Sequence, residues 1–133
     1  MSTEDNKKAA RRLTEETWNH GNMDVIDEIC DPSYTLQGGG GTAELKQAIE
    51  EFRRGFPDGS MTIEEMVAEG DSVVLRWTGQ GTHLGEYQGV APTGKRITTT
   101  GISIYHFVNG KLVEDVWESG STDIRALLLD PQS

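Results

Sequence analysis

The chain has 133 residues, 22 Asp and Glu against 12 Lys and Arg, and a net charge of −10. That length holds one domain with a real core, residues 1–133, and is too short for two. The acidic balance argues against nucleic acid and anionic membrane surfaces as partners, since neither attracts such a charge.

A lone cysteine, Cys30, permits no intrachain disulfide and fits a reducing, cytoplasmic setting. No apolar run is long enough for a membrane span, and the polar start MSTEDNKKAARRL is unlike a signal peptide.

The first helix is expected from about Thr3 to His20, with Glu4 and Asp5 in its first turn and Gly21 as its stop. Ala10, Leu13, Thr17 and Trp18 form its buried stripe. Asn22 is placed to cap a short second helix, Met23–Cys30, with Ile26, Ile29 and Cys30 on one face. Asp31-Pro32 breaks it, and Ser33–Gln37 reads as a short strand. The glycine tract 38–41 lacks the Lys-Ser/Thr of a phosphate cradle and reads as a mobile loop. Thr42 is expected to cap a helix over Ala43–Gly55, with Leu45, Ala48, Ile49 and Phe52 at helical spacing.

From Met61 the period changes to two. Met61–Glu69 and Val73–Thr78 read as strands joined at Gly70-Asp71, and Lys95–Val108 as a long strand. Gly79, Gly81 and Gly85 suggest bends in a curved sheet. Asn109-Gly110 between two apolar runs is a two-residue hairpin signal, because a type I′ turn needs positive φ twice. An unbroken ladder then pairs Val108 with Lys111, His106 with Val113, Tyr105 with Glu114, Ile104 with Asp115 and Gly101 with Glu118. That register puts His106, Asp115 and Trp117 on one face, and Ser103, Tyr105, Glu114 and Glu118 on the other. A bulge would flip these assignments. Both faces are largely apolar, so both are expected to be covered. The tail, Thr122–Leu129, reads as a last helical turn or two.

Helices first and an antiparallel meander after them define an α+β domain with helices on a curved sheet. Such a cone has an open end suited to a small hydrophobic ligand.

The chain resembles the SnoaL-like polyketide cyclase family of the NTF2-like superfamily. The residues that carry this are Thr17-Trp18-Asn19-His20-Gly21-Asn22, Phe56-Pro57-Asp58 and the run from Glu69 to Thr78. Most telling are Gly81-Thr82-His83-Leu84-Gly85-Glu86-Tyr87, then Pro92–Arg96 and Gly110–Glu114. The resemblance implies a cone-shaped barrel whose N-terminal helices pack on a curved antiparallel or mixed sheet. It also implies a homodimer formed through the sheet, no metal and no organic cofactor. The activity implied is cyclase or isomerase chemistry with an acidic residue near the end of the last strands as acid/base. Glu118 is the best positional match and Asp115 the second, with Ser103 where cyclases carry a His.

His106 and Asp115, diagonal neighbours in the unbroken register, form a candidate dyad. Trp18, Tyr34, Phe56, Trp77, Ser103, Tyr105 and Trp117 are the candidate ligand-contacting residues. His83 is assigned to a loop or rim, and Arg76 to an ion pair with Glu65 or Glu69. A binding protein without catalysis, or an epoxide hydrolase built on an Asp-Arg-Asp arrangement, are the alternative functions. No serine-nucleophile elbow, metal-spaced His cluster or dinucleotide fingerprint occurs.

Overall fold

A computed structural model describes residues 2–119 and 123–131. The first helix, α1 (Thr3–Thr14), starts where Ser2 Oγ accepts the Asp5 N–H at 3.1 Å. It turns Ala10, Leu13 and Thr14 inward. It does not run to His20 as one α-helix. After Thr14 the chain widens into a π-turn, Glu15–Asn19, and Gly21 at φ +71° ends it. The Thr17 hydroxyl donates to the Leu13 carbonyl at 2.6 Å there. Single π-turns rotate the side chains that follow them, and they cluster at functional sites.

Asn22 does not cap the next helix; its amide reaches Glu16 at 3.2 Å. Helix α2 (Asp24–Ile29) buries Val25, Ile26 and Ile29. Cys30 already belongs to β1 (Cys30–Leu36), so Asp31-Pro32 lies inside a strand. Proline is tolerated because β1 is an edge strand with an irregular register between Cys30 and Thr35. Helix α3 (Thr42–Gly55) begins one residue early: Gly41 is the cap, its N–H held by the Glu44 carboxylate at 2.6 Å.

Four strands follow: β2 (Ser60–Glu69), β3 (Ser72–Thr82), β4 (Arg96–Val108) and β5 (Lys111–Ser119). Their order in the sheet is β1-β5-β4-β3-β2, with only the β1–β5 pair parallel. Strand β3 runs beyond Thr78 because its glycines make room. A Cβ on Gly81 would stand 2.8 Å from the Phe56 side chain. A short helix, α4 (Ile124–Leu129), closes the described chain; its expected start at Thr122 lies outside the described residues.

Asn109 and Gly110, at φ 51° and 80°, make the expected hairpin turn. The ladder beyond them is not unbroken. Val108 pairs with Lys111 and Phe107 with Leu112, then His106 pairs with Glu114, leaving Val113 as the extra residue of a bulge. Every later pair moves by one: Tyr105 with Asp115, Ile104 with Val116, Ser103 with Trp117, Ile102 with Glu118. Because side chains alternate, this single residue exchanges the two faces of β5.

The inner row is Val73–Tyr105–Asp115, and the helices pack on it. Its core joins Leu13, Ile26, Ile49, Leu75, Phe107 and Leu112. A second cluster, Phe52, Phe56, Tyr87, Ile97 and Leu128, packs under the loop after β3. The outer row is Val67–Val74–Ile104–Val116. No element of this chain covers that face among the described residues, and Val67, Ile102 and Ile104 are exposed on it.

Candidate functional site

Between α3 and the inner face of the sheet lies a cavity of about 510 Å³. Thr14 and Trp18 reach it from the end of α1 and the π-turn, and Leu45, Ala48 and Phe52 from α3. The sheet contributes Met61, Leu75, Trp77, Thr99, Ser103, Tyr105, Asp115 and Trp117. Tyr87, Gln88, Asp123 and Ile124 join the lining from the loop after β3 and from α4 and the residue before it.

Asp115 is the buried carboxylate of this wall, 6 % exposed. Its Oδ2 accepts the Tyr34 hydroxyl at 3.4 Å, and its Oδ1 is buried with no hydrogen-bond partner. Burial pushes its carboxyl up to about 7, against which the Tyr34 bond acts in the lowering direction. A carboxyl at that value exchanges a proton near neutrality. Burial and the neighbouring Asp115 charge push the Tyr34 and Tyr105 phenols above their ordinary range, so both stay protonated.

Two further contacts shape the wall. The Trp77 indole Nε1–H donates to Ser103 Oγ at 2.9 Å, which leaves the serine proton free to point elsewhere. The Tyr105 hydroxyl lies 3.2 Å from Thr14 Oγ1. Gly101 makes the first of these possible: a Cβ there would stand 2.3 Å from Trp77 Cζ2. The backbone of β5 is held by Gln37, whose side chain accepts the Trp117 N–H at 2.9 Å and donates to the Trp117 carbonyl at 3.2 Å. Its own N–H donates to the Asp115 carbonyl at 2.9 Å. Gln37 has φ 53°, and its side chain continues the β1–β5 pairing where the strand itself has ended.

Of the expected site residues, Trp18, Trp77, Ser103, Tyr105, Asp115 and Trp117 line the cavity. Tyr34 stands behind Asp115 rather than in the lining. Phe56 is not in the lining either; it is buried between Phe52, His83 and Tyr87. Glu118 pairs with Ile102 and so shares the outer face. The His106–Asp115 dyad is not formed, because the bulge puts them on opposite faces. His106 bonds Ser72 Oγ at 3.0 Å and faces Glu114 at 3.5 Å. Arg76 pairs with Glu65 at 3.3 Å on the outer face, and no arginine lines the cavity among the described residues.

His83 is fully buried. Its Nδ1 accepts the Thr93 N–H at 3.1 Å and bonds the Thr93 hydroxyl at 2.9 Å, pinning the loop from 83 to 95. That loop in turn holds α4: Lys95 Nζ donates to the Leu128 carbonyl at 3.0 Å, and Arg125 Nε to the Gln88 carbonyl at 3.1 Å. Thr14, Glu51 and Asp123 lining the cavity were not expected from sequence. Thr14 ends α1, Glu51 sits on α3, and the folding-back of the tail, which leaves no local signal, brings Asp123 to the same lining.

A helix-backed curved sheet enclosing a cavity with a buried carboxylate is the architecture of small-molecule enzymes and binding proteins. A match to the SnoaL-like polyketide cyclase family spans residues 8–122, and the chain belongs to that family. No curated protein matches it. Among solved structures it is similar to AclR, a proposed hydroxylase from Streptomyces galilaeus. That likeness is 27 % identical, with a TM-score of 0.82 over 96 % of this chain and 82 % of the other. A proposed polyketide cyclase from Acidithiobacillus ferrooxidans is 28 % identical, with a TM-score of 0.78 over 96 % of this chain and 97 % of its own. TsrD from Streptomyces laurentii shares the fold at 21 % identity and a TM-score of 0.84, covering 96 % of this chain and 97 % of the other.

Proposed function

We propose that this protein is a cyclase or isomerase that performs acid–base chemistry on a hydrophobic carbonyl compound, with Asp115 as the catalytic residue. The observation that carries the reading is the unpartnered, buried Oδ1 of Asp115 in the cavity wall. A base needs a free lone pair facing the substrate and a proton affinity near the working pH. In the proposed step Oδ1 takes the proton α to the carbonyl, and the electron pair of the C–H bond moves to the carbonyl oxygen. The Ser103 hydroxyl, already accepting from Trp77, donates to the enolate oxygen. The enolate carbon then attacks a second carbonyl of the same molecule, whose oxygen receives the proton from Asp115. In an isomerase the same proton returns at another carbon. The step calls for no electron or group carrier. The likeness to proposed polyketide cyclases supports it.

The test is exchange of the α-protons of β-tetralone in D2O, followed by NMR. Asp115→Asn should lower the protein-catalysed rate roughly hundredfold or more, and Glu118→Gln should leave it unchanged. A rate equal in wild type and Asp115→Asn would sink the reading.

The same proposal includes a homodimer through the outer face. The exposed Val67, Ile102 and Ile104 there support it, together with the row that Val74 and Val116 complete. Light scattering should give twice the chain mass for the wild type and the chain mass for Ile104→Asp.

A further inference from the structure

The charged lining of the cavity has one sign. Asp115 lines it from the sheet, Glu44 and Glu51 from α3, and Asp123 from the residue before α4. No lysine, arginine or histidine lines it among the described residues. Glu44 is committed to the Gly41 N–H, and one oxygen of Asp123 to the Ala126 N–H. Glu51 and Asp123 have no cationic partner among the described residues. Burial, and after it the charges of both, push the Tyr87 phenol up to about 12. Glu51, Asp123 and Tyr87 all line the one cavity. Trp18 and Phe52, edge to face at 5.7 Å, add aromatic surface to the same lining.

A protonated amine gains from this arrangement twice, from the carboxylates and from the ring faces. A carboxylate ligand loses twice, because it would be desolvated beside like charges. Asp115, whose Oδ1 is buried without a hydrogen-bond partner, lines the same cavity and offers a ligand's polar group a partner.

We infer that the cavity takes a carbonyl compound bearing a protonated amine, seated with the ammonium between Glu51 and Asp123 and the carbonyl end toward Asp115. This rests on the reading of Asp115 as the base. Its own content is the charge of the ligand and the two residues that read it.

The experiment uses three β-tetralones that carry an aminomethyl, a methoxymethyl or a carboxymethyl group on the aromatic ring. Their dissociation constants are measured by quenching of tryptophan fluorescence, since Trp18, Trp77 and Trp117 all line the cavity. The aminomethyl ketone should bind at least tenfold more tightly than the carboxymethyl one and several-fold more tightly than the methoxymethyl one. Raising the salt should shrink both preferences. Glu51→Gln combined with Asp123→Asn should remove both preferences, with the methoxymethyl ketone still bound. Asparagine retains the cap on α4, so the neutral ketone also reports that the cavity is intact. Equal binding of the three ketones, or tightest binding of the carboxymethyl ketone, would overturn this inference and leave the carbonyl chemistry standing. If no ketone binds, both readings fail together.

Discussion

Tyr34 and Asp115 meet from the two parallel strands of the sheet, hydroxyl to Oδ2 at 3.4 Å, and that bond is the one influence holding the buried carboxyl down. Everything else around Asp115 favours its neutral form. The pair therefore sets how readily the carboxylate ionises while leaving Oδ1 free.

Tyr34→Phe should raise the Asp115 value further above 7. The acid limb of the exchange rate should move to higher pH, with the plateau little changed. Loss of one neutral-to-charged hydrogen bond should cost about 1–3 kcal/mol of stability. A pH–rate profile of the variant checks this, and an unmoved limb would show that the bond does not tune the carboxyl.

Asp115 should make the protein less stable as pH rises. Its folded value, about 7, lies above the ordinary 3.8, so between these the unfolded chain has released a proton that the folded chain keeps. The penalty is absent below the unfolded value, grows through this window and is complete above the folded value. Asp115→Asn escapes it. The stability of the variant relative to wild type should rise by about 2 kcal/mol between roughly pH 5.5 and 8.5, measured by urea unfolding.

Gly101 and Trp77 test how the wall is built. Gly101→Ala drives a methyl group to 2.3 Å from the indole and must displace it. The Trp77–Ser103 bond should break, at a cost of about 1–3 kcal/mol. A shifted tryptophan emission together with a lowered urea midpoint checks it.

Deleting Val113 should be tolerated. The pairs on either side of it, Phe107 with Leu112 and His106 with Glu114, are already those of a continuous ladder. Asp115 would keep its place on the inner face, and α-proton exchange should stay within about tenfold of wild type, though the local twist lessens. Loss of exchange in a folded deletion variant would mean that the bulge does more than set the face.

His83→Ala should loosen the loop it pins without touching the carboxyl chemistry. The Thr93 amide loses its acceptor, so its hydrogen exchange should quicken while the pH profile of Asp115 stays in place.

The helix periods, the switch to alternation at Met61 and the Asn109-Gly110 turn were all legible in the chain, because each depends on residues near one another. So was the family, carried by motifs spread from Thr17 to Glu114 and matched over residues 8–122. The presence of carboxylates on the last strand was equally plain. Which of them faces the cavity was not. One unpaired residue, Val113, turns Asp115 inward and Glu118 outward, and separates Asp115 from His106. A bulge has no reliable local signature; this one lies in β5, which pairs with β4 on one side and the irregular edge strand β1 on the other. The π-turn that aims Trp18, the Gln37 side chain that extends the β1–β5 pairing, and the return of Asp123 to the cavity lining are likewise products of packing. Local chemistry decided the elements, and the closure of the sheet around its cavity decided which side chains a ligand would meet.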